Sequence, residues 1–135
     1  MKSVGLDTSI VLRLLTGTPT GQAHRALAEV TQRLSSGVRV SVSDLVVSEA
    51  YFALQHHYGV PKAEALRLLA TFLTQSGVTC TGAAGAVLTT PSLATAKPGF
   101  VDRLIHADTM RSADELLTFE TAAGRLTGVR VLTEA

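Results

Sequence analysis

"VGLDTSIVLRLL", residues 4 to 15, runs from a short apolar strand directly into an apolar helix, with Asp7 at the junction. Two hydroxyl residues, Thr8 and Ser9, follow the carboxylate, and apolar residues resume at once. Aspartate is a good N-cap, so a purely structural explanation for Asp7 exists. A functional explanation requires that other carboxylates reach the same place.

The rest of the chain continues the alternation of strand and helix that this stretch begins. The predicted strands are KSVGLD (2–7), VRVSVS (38–43), VTCT (78–81), ELLTF (115–119) and VRVL (129–132). The predicted helices are TSIVLRLLTG (8–17), GQAHRALAEVTQRLSSG (21–37), LVVSEAYFALQHHYG (45–59), PKAEALRLLATFLTQSG (61–77), GFVDRLIHADTMRSA (99–113) and a short turn, TAAGRL (121–126). Residues 82–98 are expected to form one or two short helices and a loop. Such alternation predicts a parallel sheet with right-handed crossovers.

The composition fits a single globular domain over residues 1–135. A chain of 135 residues, 46% hydrophobic and 17% charged, can bury one core and is too apolar to be disordered. The formal net charge of +1 neither marks nor excludes a nucleic-acid-binding protein. An aromatic content of 4% argues against recognition through stacked aromatic platforms.

The cysteine content and the hydropathy pattern predict a cytoplasmic protein. Cys80 is the single cysteine, which excludes an internal disulfide and agrees with a reducing compartment. The chain opens on a strand without a signal peptide, and no apolar run approaches the roughly 18 residues of a membrane span. We therefore expect no association with a membrane.

Two of four notable acids fall where a parallel α/β fold places its ligand site, beyond the carboxyl ends of the strands. Asp7 ends the first strand and Glu120 follows the fourth, so both are expected at one edge. Glu49 and Asp102 lie within nearly apolar helical segments, where an acid is costly unless it is paired or binds a metal. Gathered carboxylates raise each other's pKa, and a divalent cation resolves that conflict.

The expected ligand set indicates the metal and the chemistry. Oxygen ligands without Cys or His favour Mg²⁺ or Mn²⁺. Two such ions about 3.5–4 Å apart can activate a water and stabilise the departing oxygen in phosphodiester hydrolysis. The acids therefore favour a metal-dependent nuclease, and helix caps or solvated side chains are the plain alternative.

Four segments together resemble a PIN domain, and most closely the VapC ribonuclease toxins of toxin–antitoxin pairs. VGLDTSIVLRLL resembles the family's opening strand, acid, hydroxyl and helix, and VSVSDLVVSEAYFAL resembles its second strand and the helix with an internal Glu. GFVDRLIHA resembles the helix with the third acid, and ELLTFETAAGRLTGVRVL resembles the closing strand, the Thr-Phe-acid turn and the final strand. The resemblance covers nearly the whole chain.

The resemblance implies a fold and an activity. The fold would be a three-layer α/β/α sandwich with a central parallel sheet of four or five strands. The activity would be a Mg²⁺-dependent endoribonuclease, with Mn²⁺ as a substitute, and its partners would be an RNA substrate, a VapB-like antitoxin and a second copy in a homodimer. The metal acids would be Asp7, Glu49 and Asp102, with Glu120 where the family usually has Asp. That longer side chain moves the carboxylate by about an ångström, and Mg²⁺ tolerates such errors poorly.

Several other residues have both a functional and a structural interpretation. Thr8 and Thr118 could support the acids through hydrogen bonds, or could be ordinary turn and strand residues. Ser43 or Asp44 is expected to cap the helix that carries Glu49. Three arginines are candidates for steering an RNA backbone: Arg13, Arg103 and Arg111. Six apolar residues are candidates for a dimer surface or for the core: Tyr51, Phe52, Leu54, Leu68, Leu69 and Phe72.

Two other functions compete with a nuclease. A catalytically degenerate PIN module that serves as a protein-binding partner is favoured by the replacement at Glu120. A receiver-like phosphoryl-transfer domain is disfavoured, because the first strand offers the lone Asp7 and the third strand leads into CTGAAG, which contains no acid. The sequence contains no P-loop and no GxGxxG pattern.

Overall fold

Strands and helices alternate along residues 2–134, which are the residues described by a computed structural model. The strands are β1 (Ser3–Gly5), β2 (Arg39–Val42), β3 (Thr79–Cys80), β4 (Leu116–Thr118) and β5 (Val129–Val131). The helices are α1 (Thr8–Thr16), α2 (Thr20–Ser35), α3 (Asp44–His56), α4 (Lys62–Gln75), α5 (Ala84–Val87) and α6 (Phe100–Met110), with a 3₁₀ turn at Thr121–Arg125. The predicted order of elements is therefore confirmed, and residues 82–98 contain one short helix.

The strands form two parallel ladders in the described part of the chain. The first sheet has the order β1-β2-β3, with Val4 paired to Val40 and Val42 paired to Cys80. The second sheet pairs β4 with β5. The parallel α/β character is as predicted, whereas the sheet of four or five strands appears as sheets of three and two strands. The strands are two to four residues long.

The core lies where β2 meets the helices that follow it. Val40 and Val42 of β2 are 1% and 2% exposed, and Leu54 of α3 and Leu69 of α4 are fully buried. The ring of Tyr51 contacts the edge of Phe100 at a centroid distance of 5.1 Å, which joins α3 to α6. One continuous apolar cluster therefore holds the alternating elements together.

The core accounts for most of the residues that were candidates for a dimer surface. Tyr51, Leu54, Leu69 and Phe72 are buried within the chain, and Leu68 is half-buried. Phe52 keeps 45% of its surface exposed. The core interpretation is therefore right for the four buried residues, and of the six candidates Phe52 and Leu68 keep surface that a partner could contact.

Local capping signals explain where α1 begins and ends and where α3 begins. Asp7 caps α1, because its Oδ1 accepts a hydrogen bond from the backbone N–H of Ile10 at 3.2 Å. Gly17 ends the same helix with φ 71°, a left-handed conformation that glycine adopts at low cost. Ser43 caps α3, because its Oγ accepts from the backbone N–H of Val46 at 3.3 Å. The cap of α3 is therefore Ser43 and not Asp44.

The outer surface of α2 is strongly polar. Glu29 forms ion pairs with Arg25 at 2.9 Å and with Arg33 at 2.7 Å, both on the solvent side of the helix. Exposed pairs of this kind contribute about 0–1 kcal/mol each, so they add charge to the surface more than stability to the fold. Within the described range, no helix combines the length and the apolar composition that crossing a membrane requires.

Candidate functional site

Asp7 lies between β1 and α1 and is both a helix cap and an exposed anion. The hydroxyl of Ser9 donates to its Oδ1 at 2.7 Å, and the backbone N–H of Ile10 donates to the same oxygen. The hydrogen bond from the Ser9 side chain, followed by that from Ile10, lowers the pKa of Asp7 below its ordinary value. Asp7 is therefore ionised at neutral pH, and neither of these bonds occupies its Oδ2.

The carboxylates of Glu49 and Asp102 reach solvent, although the sequence around them is apolar. Glu49 lies in the second turn of α3 and Asp102 in the first turn of α6, and both residues are exposed. Their apolar neighbours, including Ala50, Phe100 and Leu104, are buried on the other face of each helix. The premise that apolar neighbours would bury these two acids is therefore wrong. Neither carboxylate needs a counter-ion to offset desolvation.

Glu120 lies two residues beyond the end of β4, and Thr118, the last residue of that strand, organises the turn. The backbone N–H of Glu120 donates to the Thr118 Oγ1 at 3.0 Å, so this hydroxyl supports the backbone of the turn. The side chain of Glu120 is exposed. Thr8 begins α1, and it is Ser9 that donates a side-chain hydrogen bond to Asp7. Ser9 was missed in the sequence, where its signal was its place as the second of the two hydroxyl residues that follow Asp7.

Two of the four acids lie beyond strand ends and two lie near the starts of helices, and the four do not form a tight cluster. Among residues 2–134, no group of three or more His, Cys, Asp or Glu side chains is placed to hold a metal ion. Two of the acids, Asp7 and Glu120, follow strands that belong to different sheets, so no strand ladder fixes the distance between them. None of the four forms an ion pair with a residue in that range. Their exposed carboxylate oxygens fit a hard divalent cation in donor type alone.

Asp44 lies near the carboxyl end of β2, and its carboxylate accepts three hydrogen bonds. It accepts from the backbone N–H groups of Ala83 at 2.9 Å and Ala84 at 2.8 Å, and from the Cys80 thiol at 3.2 Å. It thereby ties the first turn of α3 to the segment between β3 and α5. The sequence carried one signal for this role, because Ser43 and Asp44 are adjacent cap-type residues and only one of them can cap α3.

Cys80 is a structural residue in this environment. Desolvation by burial is the main reason that the pKa of its thiol is raised, and the neighbouring Asp44 carboxylate raises it further. A thiol with a raised pKa holds little nucleophilic thiolate at neutral pH. The interpretation of Cys80 as a small, partly buried side chain therefore agrees with its surroundings.

A groove of about 450 Å³ lies between α1 and α2, beside Asp7. Seven residues line it: Ser9, Ile10, Arg13, Gln22, Arg25, Ala26 and Glu29. The Nε of Arg13 donates to the Gln22 Oε1 at 2.6 Å, and its Nη1 donates to the Tyr58 hydroxyl at 3.4 Å. The groove therefore has a polar, partly cationic wall that begins at the residue bound to Asp7.

A second groove, of about 530 Å³, lies between the start of α3 and α6. Its walls carry two large apolar side chains in contact with solvent, Leu45 at 83% exposure and Ile105 at 50% exposure. Three charged residues also line this groove, the acids Asp44 and Asp108 and the cation Arg111.

The three arginines that were candidates for steering RNA do not form one cluster. Arg13 lines the groove between α1 and α2, and Arg111 lines the groove between α3 and α6. The Nε of Arg103 donates to the carbonyl of Pro98 at 2.7 Å, which fixes the start of α6. Of the three arginines, Arg13 is therefore the one that lines the same groove as Ser9, the residue that donates a hydrogen bond to Asp7.

Comparisons with protein-family models, with curated proteins and with solved structures find no match. The likeness to PIN domains therefore depends on the sequence segments quoted above. The parallel α/β order of elements agrees with that likeness and is shared by many unrelated enzymes. Activity and partners consequently remain proposals.

Proposed function

We propose that this protein is a Mg²⁺-dependent endoribonuclease of the VapC type, the toxin of a toxin–antitoxin pair. The supporting observation is where four exposed acids fall on the strand–helix alternation. Asp7 and Glu120 each stand two residues beyond the end of a strand, β1 and β4, and Glu49 and Asp102 lie in the first two turns of α3 and α6. In parallel α/β folds, the carboxyl ends of strands and the adjacent helix turns form the ligand-binding edge.

The proposal includes one continuous sheet with the order β3-β2-β1-β4-β5. Support comes from the free edges, since β1 is the outer strand of the first sheet and β4 pairs with β5 alone among the described strands. Joining β1 to β4 would create a point where successive connections leave in opposite directions. Ligands of doubly wound sheets bind at such a switch point, and Asp7 and Glu120 are the acids that follow these two strands.

Asp7, Glu49, Asp102 and Glu120 are the residues that would hold the metal. Bound Mg²⁺ would supply a Lewis acid that polarises the phosphodiester and lowers the pKa of an attacking water. The protein's own contribution begins with charge: Ser9 and Ile10 lower the pKa of Asp7 and keep it anionic. The other three acids are exposed and form no ion pair with arginine or lysine within the described chain.

The proposed partners are an RNA substrate, a VapB-like antitoxin and a second copy of this chain, in the cytoplasm. The groove between α3 and α6 suits the second copy. Leu45 and Ile105 offer exposed apolar surface there. A two-fold axis would bring Asp108 of one copy opposite Arg111 of the other, because a surface that carries both charges is complementary to itself.

A catalytically degenerate PIN module that binds a partner protein is the second candidate. Two observations favour it. The described residues contain no group of three acids placed to hold a metal ion, and Glu120 occupies a position where the resembled family usually has Asp. This candidate has no affinity for divalent metal and no ribonuclease activity.

The test compares the purified protein with Asp102→Asn and with a control, Glu115→Gln, whose exposed acid precedes β4 at the end of the strand away from Glu120. The nuclease proposal expects cleavage of single-stranded RNA in Mg²⁺, its loss in EDTA, and its loss in Asp102→Asn alone. Calorimetry with Mn²⁺ should detect binding to the wild-type protein. A wild-type protein without cleavage and without Mn²⁺ binding would favour the degenerate module, and full activity of Asp102→Asn would refute the assignment of that residue.

A further inference from the structure

The groove between α1 and α2 begins at the candidate metal site and continues along α1. Ser9 donates to Asp7 and also lines the groove, and Arg13 follows one helical turn later on the same face. A helix rises 1.5 Å per residue, so the Cα of Arg13 lies about 9 Å from that of Asp7 along the axis. An extended chain with one unit at Asp7 can therefore place a neighbouring unit at Arg13.

The guanidinium of Arg13 is oriented by uncharged partners. Gln22 accepts from its Nε and the Tyr58 hydroxyl accepts from its Nη1, so neither partner neutralises the charge. Arg13 forms no ion pair within the described chain. Within the described chain, the two hydrogen bonds of the guanidinium use Nε and Nη1, which leaves both protons of Nη2 available. An oriented guanidinium of this kind suits the oxygens of a phosphate.

The opposite wall of the groove, formed by α2, carries charges of both signs. Arg25 lines the groove and pairs with Glu29, but Glu29 is shared with Arg33. The charged residues that line the groove are therefore two arginines, Arg13 and Arg25, and one carboxylate, Glu29, which leaves a net charge of one positive. Because Glu29 pairs with Arg25, the cation that no carboxylate offsets is Arg13. Ile10 and Ala26 supply an apolar floor between the charged groups.

We propose that this groove is a subsite for the RNA backbone, in which Arg13 and Arg25 bind phosphates next to the scissile one. The proposal rests on the proposed nuclease function, which it deepens by naming the path of the substrate. Charge selects the occupant, because the groove is cationic beside an anionic site. The apolar floor allows a sugar or base to pack between the bound phosphates.

The test measures binding of a fluorescent single-stranded RNA in EDTA over a series of salt concentrations. The slope of log K against log salt should fall by about 0.7 for each phosphate that is no longer neutralised, in Arg13→Gln and in Arg25→Gln. Arg39→Gln removes the same charge at the amino end of β2, outside the groove, and should leave the slope unchanged. Gln22→Ala keeps the charge of Arg13, so it should weaken binding without lowering the slope.

A second readout uses Mg²⁺ and the same RNA. Removing an arginine that binds a phosphate other than the scissile one should raise KM with little change in kcat. The reason is that the binding of the substrate and the binding of the transition state are weakened equally. Thermal unfolding checks that every variant remains folded. Slopes of Arg13→Gln and Arg25→Gln equal to that of Arg39→Gln would overturn the subsite. A competition experiment tests the choice of RNA as occupant. If an acidic peptide displaces the labelled RNA as effectively as unlabelled RNA of the same charge does, that choice is overturned.

The outcomes separate this inference from the proposed function. Wild-type protein that cleaves RNA, with unchanged slopes in the groove variants, leaves the nuclease standing and removes the subsite. Wild-type protein that binds RNA through the groove but never cleaves it in Mg²⁺ or Mn²⁺ removes the nuclease and retains an RNA-binding groove. Wild-type protein that does not bind RNA contradicts both.

Discussion

The carboxylate of Asp44 accepts a hydrogen bond at 2.8 Å from the backbone N–H of Ala84, which lies forty residues further along the chain. A second bond from Ala83 and a third from Cys80 complete the set. The first N–H groups of a helix have no partner within that helix, so Asp44 supplies one at the start of α5. This acid consequently fixes the position of α5 against α3 and is unsuited to share a metal with the exposed acids.

The close approach of Asp44 to Gly82 predicts a strong effect of one methyl group. A Cβ at Gly82 would collide with the Asp44 carboxylate, which its three hydrogen bonds hold in place. Gly82→Ala should lower the free energy of unfolding by about 1–3 kcal/mol, the usual cost of overpacking. Gly85→Ala is the control, since a Cβ at Gly85 meets nothing within 4 Å and lies in α5. Urea denaturation should rank Gly85→Ala above Gly82→Ala, and equal stabilities would contradict the fixed position of Asp44.

The hydrogen bond between Cys80 and Asp44 predicts slow chemistry at the thiol. Burial raises the pKa of the Cys80 thiol, and Asp44 raises it further, so the folded protein should react with iodoacetamide at pH 8 more slowly than the unfolded chain. Asp44→Asn removes the negative charge at nearly constant shape. The pKa of Cys80 should then fall and the rate at fixed pH should rise. Thermal unfolding of Asp44→Asn under the assay conditions excludes a faster rate due to unfolding, and an unchanged rate would contradict the role of the charge.

The local elements could be predicted from the sequence because their signals are local. Gly17 ends α1 and Pro61 precedes the first residue of α4. The alternation of Val40 and Val42 marks β2 as buried. These features act over a few residues and depend little on the rest of the fold. The order of strands and helices and the parallel pairing followed from them.

The features that the sequence did not reveal all depend on distant residues. Asp44 joins residues 36 to 40 positions apart, which no window of sequence contains. Glu49 looked buried because its neighbours are apolar, but Ala50 and Tyr51 face the core while Glu49 turns outward. Pairing of β4 with β1 would likewise depend on residues far apart in the sequence, and the proposed metal site at the carboxyl ends of these strands depends on that pairing.

Substitutions at Asp7 separate its role as a cap from its proposed role at the metal. Asparagine caps helices as well as aspartate does, whereas alanine at an N-cap costs about 1 kcal/mol. Asp7→Asn should therefore unfold in urea within a few tenths of a kcal/mol of the wild type, and Asp7→Ala should be weaker. Both should lose Mg²⁺-dependent cleavage. Full cleavage by a stable Asp7→Asn would reduce Asp7 to a cap.

The hydrogen bond from Ser9 predicts a pH dependence of stability. Because the pKa of folded Asp7 lies below its ordinary value of 3.8, its contribution to stability is complete above that value. The contribution disappears as pH falls through the lower, folded pKa. Ser9→Ala removes the largest cause of the shift, so in EDTA the variant should be less stable than wild type at pH 6, with a difference that shrinks as pH falls below about 4. A difference that is constant with pH would assign the effect to packing of the Ser9 side chain.

The apolar groove between α3 and α6 predicts how a homodimer would respond to a single charge. Leu45 is 83% exposed at the start of α3 and has Ile105 on the facing wall. Aspartate at position 45 costs little in the monomer, because the side chain already lies in solvent, but would bury an unpaired charge in an interface. Light scattering at micromolar concentration should give a dimer for the wild type and a monomer for Leu45→Asp. Leu27→Asp, a matched change of an exposed leucine on α2, should remain a dimer. A dimer that survives Leu45→Asp would move the interface away from this groove.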